Sequence, residues 1–130
     1  MITDTSVWID ASAGRRSWQV ERLRDAITQR TAMIVDPVRL EVLAGLRAGV
    51  PASRLIAMFD GCEDVMQVHR TDAEEAARIY RTCRGSGETV RSTTDCLIAA
   101  MAIRNDVPVL HRDRDYDVIA RHFPLQVVSQ

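Results

Sequence analysis

A chain of 130 residues, 46% apolar and 27% charged, suits one compact domain spanning residues 1–130 and is long enough to bury a core without disulfides or a structural metal. Its 17 basic and 18 acidic residues leave a net charge of -1, so no broad positive field advertises nucleic acid, and any such partner must be bound locally. All 17 basic residues are Arg, which excludes the GxxxxGK phosphate loop, Schiff-base chemistry and lysine-dependent phospho-receiver sites.

The elements are predicted in chain order as follows. Met1–Thr3 is a short apolar start, and Ser17–Arg30 sets Val20, Leu23 and Ile27 at helical spacing with charges outside. Ala32–Val35 is a brief apolar run of the kind that forms a buried strand. Asp36 as N-cap and Pro37 at the first helical position start a helix through Val38–Arg47 that stops near Gly49, and Pro51 opens another to about Asp60. Val65–Val68 reads as a strand. Thr71-Asp72-Ala73-Glu74 is a capping box for a helix to about Arg84, ended by Gly85 and Gly87. Ser92-Thr93-Thr94-Asp95 starts a helix that is apolar on every side from Cys96 to Ile103 and is therefore buried all round. Val107–Leu110 is a strand, Arg114–His122 a short helix and Leu125–Val128 a last strand. Short apolar strands alternating with helices make an α/β fold with a parallel sheet covered on both faces, in which ligands bind beyond the carboxyl ends of the strands.

Cys62, Cys83 and Cys96 are odd in number, widely spaced and without a CxxC, which predicts buried free thiols in a reducing compartment rather than disulfides or a zinc site. His69, His111 and His122 show no metal-ligand spacing and carry no assigned role. There is no run of about 18 apolar residues, and Asp4 and Asp10 stand where a signal peptide needs apolar continuity, so a cytoplasmic protein without a membrane segment is expected.

The acids carry the chemistry. Asp4 follows the first strand, Glu41 lies in the helix after the second, Asp95 heads the buried helix, and Asp113 and Asp115 follow the Val107–Leu110 strand. If the strands are parallel, several of these reach one sheet edge, where clustered carboxylates repel until protons or a hard divalent cation such as Mg²⁺ or Mn²⁺ neutralise them. Each acid also has a plain structural reading. Asp4 can cap the segment from Thr5, Asp95 can close a capping box with Ser92, and Glu41 can sit on a solvated helix face. Asp113 and Asp115 can be turn and first-turn helix acids.

Asp4-Thr5-Ser6, Arg39-Leu40-Glu41-Val42-Leu43, Thr94-Asp95-Cys96-Leu97-Ile98-Ala99-Ala100 and His111-Arg112-Asp113-Arg114-Asp115-Tyr116 resemble, in order and spacing, the four acidic blocks of PIN-domain ribonucleases. With Gly87–Ser92 and the overall length, the match is similar to VapC-type toxins of VapBC toxin–antitoxin modules. The resemblance implies a three-layer α/β/α sandwich with a central parallel sheet and a Mg²⁺-dependent endoribonuclease in which Mn²⁺ substitutes. Asp4, Glu41, Asp95 and Asp113 would be its catalytic quartet, with Asp4, Asp95 and Asp113 as metal ligands. It further implies a homodimer, a VapB-type antitoxin partner and a structured RNA substrate such as tRNA or rRNA. His111 stands where the family's last block usually has Thr or Ser, which leaves the division of labour between Asp113 and Asp115 open.

In the mechanism this suggests, Glu41 orients or deprotonates the attacking water, while the Ser6 and Thr94 hydroxyls either hold Asp4 and Asp95 in orientation or are ordinary helix-start residues. Arg91, Arg112 and Arg114 flank the acids and suit phosphate contacts, or are solvated charges. Two other classes share these residues. One is a non-catalytic PIN-like interaction protein in which the acids are only caps. The other is a metal-dependent DNA nuclease or phosphatase, although the DxDxT start of one common phosphatase class is missing.

Overall fold

A computed structural model describes residues 1–62 and 65–130. The chain runs β1 (Ile2–Thr3), α1 (Thr5–Ser12), α2 (Trp18–Thr28), β2 (Ile34–Val35), α3 (Asp36–Ala44), α4 (Ala52–Asp60), β3 (Val65–Met66), α5 (Arg70–Gly85), α6 (Thr93–Asn105), β4 (Val109–Leu110) and α7 (Arg114–His122).

β1 pairs with β4 and β2 with β3, both in parallel, with Ile2 opposite Val109 and Ile34 opposite Val65. A parallel bridge between Ile2 and Met33 joins the two ladders, and another between Val109 and Val127 extends the far side. The lateral order is therefore β3, β2, β1, β4 and then the segment around Val127. The chain steps outward from β1 through β2 and β3, then returns to the opposite side of β1 as β4. That reversal puts a topological switch point between β1 and β4, where a parallel sheet opens a crevice at its carboxyl edge.

Both residues of β1, β2 and β4 are buried. Because successive strand side chains point to opposite faces, helices must cover the sheet on both sides, which is the three-layer arrangement. α1 packs on α2 and α3, while α5 packs on α6 and α7. Trp8 of α1 meets Phe59 of α4 edge-on, with ring centroids 5.0 Å apart. Leu23, Ile79, Ile98 and Met101 are also fully buried, each such side chain contributing about 1.5–3 kcal/mol. Among the described residues no helix is long and apolar enough to cross a membrane.

Several local expectations need correction. α1 was not foreseen, because eight residues opening with Thr and Ser leave little room for helical periodicity to show. Val35, not Asp36, is the N-cap of α3; Asp36 is its first residue, where its charge faces the positive helix end, and the helix stops at Ala44 with Gly45 as its cap. The start of α5 lies earlier than the predicted Thr71–Glu74 box. Asp72 Oδ2 accepts the His69 N–H at 2.8 Å, while Arg104 Nε donates to Asp72 Oδ1 at 2.7 Å. That ion pair draws Asp72 into the interior and fixes where the helix begins. β2, β3 and β4 are each two residues long, and the strand expected at Leu125–Val128 is reduced to the single bridge at Val127. The three cysteines are free; Cys83 and Cys96 are buried and Cys62 half-buried, and burial pushes the Cys96 thiol up to about 12, which makes it inert.

Candidate active site

The two central strands end side by side, with the Asp4 N–H donating to the Leu110 carbonyl at 2.9 Å. Asp4 is therefore delivered to the switch point by β1, and the loop leaving β4 brings Asp113 and Asp115 to the same edge.

Asp4 is the N-cap of α1 and is almost fully buried. Its Oδ2 accepts from the Ser6 N–H at 3.0 Å and the Ser6 hydroxyl at 2.5 Å. Its Oδ1 accepts from the Tyr116 hydroxyl at 2.8 Å. Glu41 projects from α3, which packs on α6, and its Oε2 accepts from the Thr5 hydroxyl at 2.6 Å.

Asp95 is the third residue of α6. Its backbone N–H donates to Ser92 Oγ at 3.2 Å, which is one half of a capping box. The other half is missing, because the Ser92 N–H goes to Asp115 Oδ2 at 3.4 Å. The Asp95 carboxylate thus has no hydrogen bond from another described residue, so the capping reading uses its backbone and leaves its oxygens for other work.

Asp113 is the N-cap of α7, its Oδ1 accepting from the Asp115 N–H at 3.0 Å and facing Arg91 Nη2 at 3.3 Å. Asp115 is 1% exposed. Its Oδ2 accepts from the Arg91 N–H at 2.8 Å, while its buried Oδ1 has no hydrogen-bond partner.

One oxygen from each of Asp95, Asp113 and Asp115 lies within 4.8 Å of the others. Burial pushes the Asp95 carboxyl from 3.8 up to about 7, and the negative charges of Asp4, Asp113, Asp115 and Glu41 push in the same direction. Five acids from four separated segments therefore act on one another, in a pocket short of positive charge. The residues fit a hard divalent cation: the donors are all oxygens, one buried carboxylate oxygen has no partner, and one carboxyl is driven toward neutrality by unrelieved repulsion.

The placement differs from expectation in detail. Asp115, expected only as support, stands in the close trio, whereas Asp4 has both oxygens engaged by Ser6 and Tyr116. Ser6 holds Asp4 as a supporting hydroxyl would. Thr94 does not bond Asp95; it lines a groove between α5 and α6 with Ala73, Ala76, Ala77 and Tyr80. Arg112 pairs with the buried Asp10, which also holds Arg15 at 2.8 Å, and among the described residues it forms no ion pair with the trio. Sequence reasoning missed Thr5, Asp10 and Tyr116. Thr5 and Tyr116 adjoin acids of the quoted blocks, the one signal that marked them; Asp10 had none.

The chain matches the PIN domain family model over residues 1–122. It is 39% identical over 132 residues to VapC ribonuclease Mb1587 of Mycobacterium bovis, covering 99% of this chain and 98% of that protein. Ribonuclease VapC11 of Mycobacterium tuberculosis matches to the same extent. Among solved structures, FitAcB from Neisseria gonorrhoeae superposes with a TM-score of 0.70 at 19% identity, covering 98% of this chain and 96% of that one. VapBC2 from Rickettsia felis, bound to a DNA fragment from its promoter, superposes with a TM-score of 0.71 at 14% identity and the same coverage.

Proposed function

Because this chain belongs to the PIN-domain family, we propose that it is the ribonuclease toxin of a toxin–antitoxin module, acting as a divalent-metal-dependent endoribonuclease on structured RNA such as tRNA or rRNA. The observation that carries the reading is the convergence of Asp95, Asp113 and Asp115 within 4.8 Å at the β1/β4 switch point, with Asp4 and Glu41 adding to the same field. The 39% identity to proteins named as ribonucleases over nearly the whole chain supports RNA as the substrate.

In this reading Asp95, Asp113 and Asp115 would hold Mg²⁺ or Mn²⁺, with Asp4 beside them. A divalent cation supplies phosphate charge neutralisation and a more acidic bound water. Glu41, whose Oε2 is held by Thr5, would orient the attacking water and accept its proton as the water oxygen bonds to phosphorus, while the P–O bond to the departing ribose oxygen breaks and that oxygen takes a proton from solvent. Ser6 and Tyr116 keep Asp4 from rotating away from its neighbours. The working form is a homodimer of this single domain in the cytoplasm.

A VapB-type antitoxin is the proposed partner, as the structural relatives FitAcB and VapBC2 suggest. A groove of about 360 Å³ whose accessible apolar lining includes Ile27, Val50 and Met58 offers surface for its docking segment. An antitoxin Arg reaching the acids would compete with the cation, because a guanidinium matches carboxylate geometry.

Purified protein incubated with total RNA, with and without Mg²⁺, followed by sequencing of new ends, tests the reading. Cleavage at defined positions that needs the metal and disappears in Asp95→Asn is expected. Ends that appear without metal, or at the wild-type rate in Asp95→Asn, would refute it, and equal cutting of DNA would redirect the substrate.

A further inference from the structure

Sequence treats Arg91, Arg112 and Arg114 alike, as cations flanking acids. The structure separates them. Arg112 is committed to Asp10 and, among the described residues, forms no ion pair with the trio. Arg114 is exposed and, among the described residues, forms no ion pair. Arg91 alone faces the trio, with Nη2 3.3 Å from Asp113 Oδ1 and Nε 3.8 Å from Asp115 Oδ1.

Those contacts are loose. Arg15, Arg78, Arg104 and Arg121 approach their carboxylates to between 2.6 and 2.8 Å. The Arg91 side chain is 63% exposed, and it leaves the buried Asp115 Oδ1 without a hydrogen bond. Its main chain is the opposite, because the Arg91 N–H is held by Asp115 Oδ2 at 2.8 Å. A firmly anchored backbone carrying a weakly held guanidinium is a tethered, exchangeable cation. A divalent ion would satisfy the same oxygens better than a distant guanidinium, since it offers two charges at a short coordination distance.

We propose that Arg91 is the resident counter-ion of the metal-free trio, that a divalent cation displaces its guanidinium, and that the freed guanidinium then binds a phosphate of the RNA entering the site. The inference rests on the nuclease reading and adds an order of events to it. Metal loading removes the arm that shields the acids and, in the same movement, creates a substrate contact. After displacement the arm stays within reach, because the Arg91 backbone remains tied to a residue of the trio.

The test is calorimetric titration of Mn²⁺ into metal-free wild type, Arg91→Gln and Arg114→Gln, followed by cleavage kinetics at saturating Mn²⁺. Arg114→Gln controls for the loss of any nearby positive charge. Arg91→Gln should bind Mn²⁺ about 3- to 5-fold more tightly than Arg114→Gln, the size of one exposed ion pair. Its KM for RNA should rise about 3- to 10-fold with kcat within about twofold of wild type, and RNA affinity should lose about one charge from its salt dependence. Equal Mn²⁺ affinity in the two variants overturns the counter-ion role while leaving the nuclease reading intact. Tighter Mn²⁺ binding with an unchanged KM overturns the release to substrate. Wild type that neither binds Mn²⁺ nor cuts RNA overturns both this inference and the reading beneath it.

Discussion

Asp95→Asn separates the chemistry of the site from its cost to the fold. The Asp95 carboxyl is pushed from 3.8 up to about 7, first by burial and then by Asp4, Asp113, Asp115 and Glu41. A carboxyl whose folded value is raised is more protonated in the folded chain than in the unfolded one, so its contribution to stability is fully present below about pH 4 and is lost as pH rises toward 7. At about 1.4 kcal/mol for each pH unit between the two values, the loss approaches about 4 kcal/mol above pH 7. Asn keeps the shape, the Ser92 cap to its backbone and the buried position, and removes the charge. In EDTA, Asp95→Asn should therefore be the more stable protein, by a margin that widens by about 2–3 kcal/mol, roughly 10 °C in Tm, between pH 5 and pH 8. Excess Mg²⁺ or Mn²⁺ should narrow the margin at pH 8, because only the wild-type trio gains by mass action, about 2.7 kcal/mol at a hundredfold excess over Kd. Thermal and urea melts at the two pH values measure it. A margin in EDTA that stays constant from pH 5 to pH 8 would refute the argument that Asp95 is held against repulsion.

Three further outcomes are expected. The Tm rise on adding Mn²⁺ should vanish in the triple Asp95→Asn, Asp113→Asn, Asp115→Asn variant, whose side chains keep their size, and persistence of the rise in differential scanning calorimetry would locate the ion elsewhere. Tyr116→Phe removes the buried donor to Asp4 Oδ1 and should cost about 1–3 kcal/mol by urea unfolding while lowering kcat for RNA cleavage; an unchanged kcat would deny Asp4 a part in the chemistry. Asp10→Asn breaks the tie between α1 and the β4–α7 loop, and since Arg15 and Arg112 are 59% and 44% exposed it should cost only about 1 kcal/mol, with a larger loss meaning that Asp10 organises more than its two arginines.

What was legible in the sequence follows from what has a local cause. α2, α4 and α7 start and stop close to where local signals place them: Ser17 and Asp113 cap α2 and α7 through side chains two or three residues away, and Pro51 precedes α4. The strands are the reverse case. Two residues cannot show a period, so β1, β2 and β4 are visible only as apolar points between helices, and their order is set by pairing across more than thirty residues of chain. The pairing of Asp10 with Arg112 was invisible for the same reason, the two lying 102 residues apart. The positions of Asp4, Glu41, Asp95, Asp113 and Asp115 were readable; which oxygens remain free was not, since that depends on Tyr116, Thr5 and Ser92 arriving from other segments.

The plain readings of the acids and the chemical one turn out to be compatible rather than competing. Asp4 and Asp113 do cap α1 and α7, and Asp95 does sit in the first turn of α6. The N-termini of these three helices meet at one sheet edge, each presenting the positive end of its dipole. That partial charge, together with the loosely held Arg91 guanidinium, offsets the repulsion among the carboxylates. It also acts at the backbone, where it cannot reach every side-chain oxygen. Among the described residues Asp115 Oδ1 and the Asp95 carboxylate accept no hydrogen bond, and under the proposed reading the repulsion left over would favour a small, doubly charged ion over a tethered guanidinium.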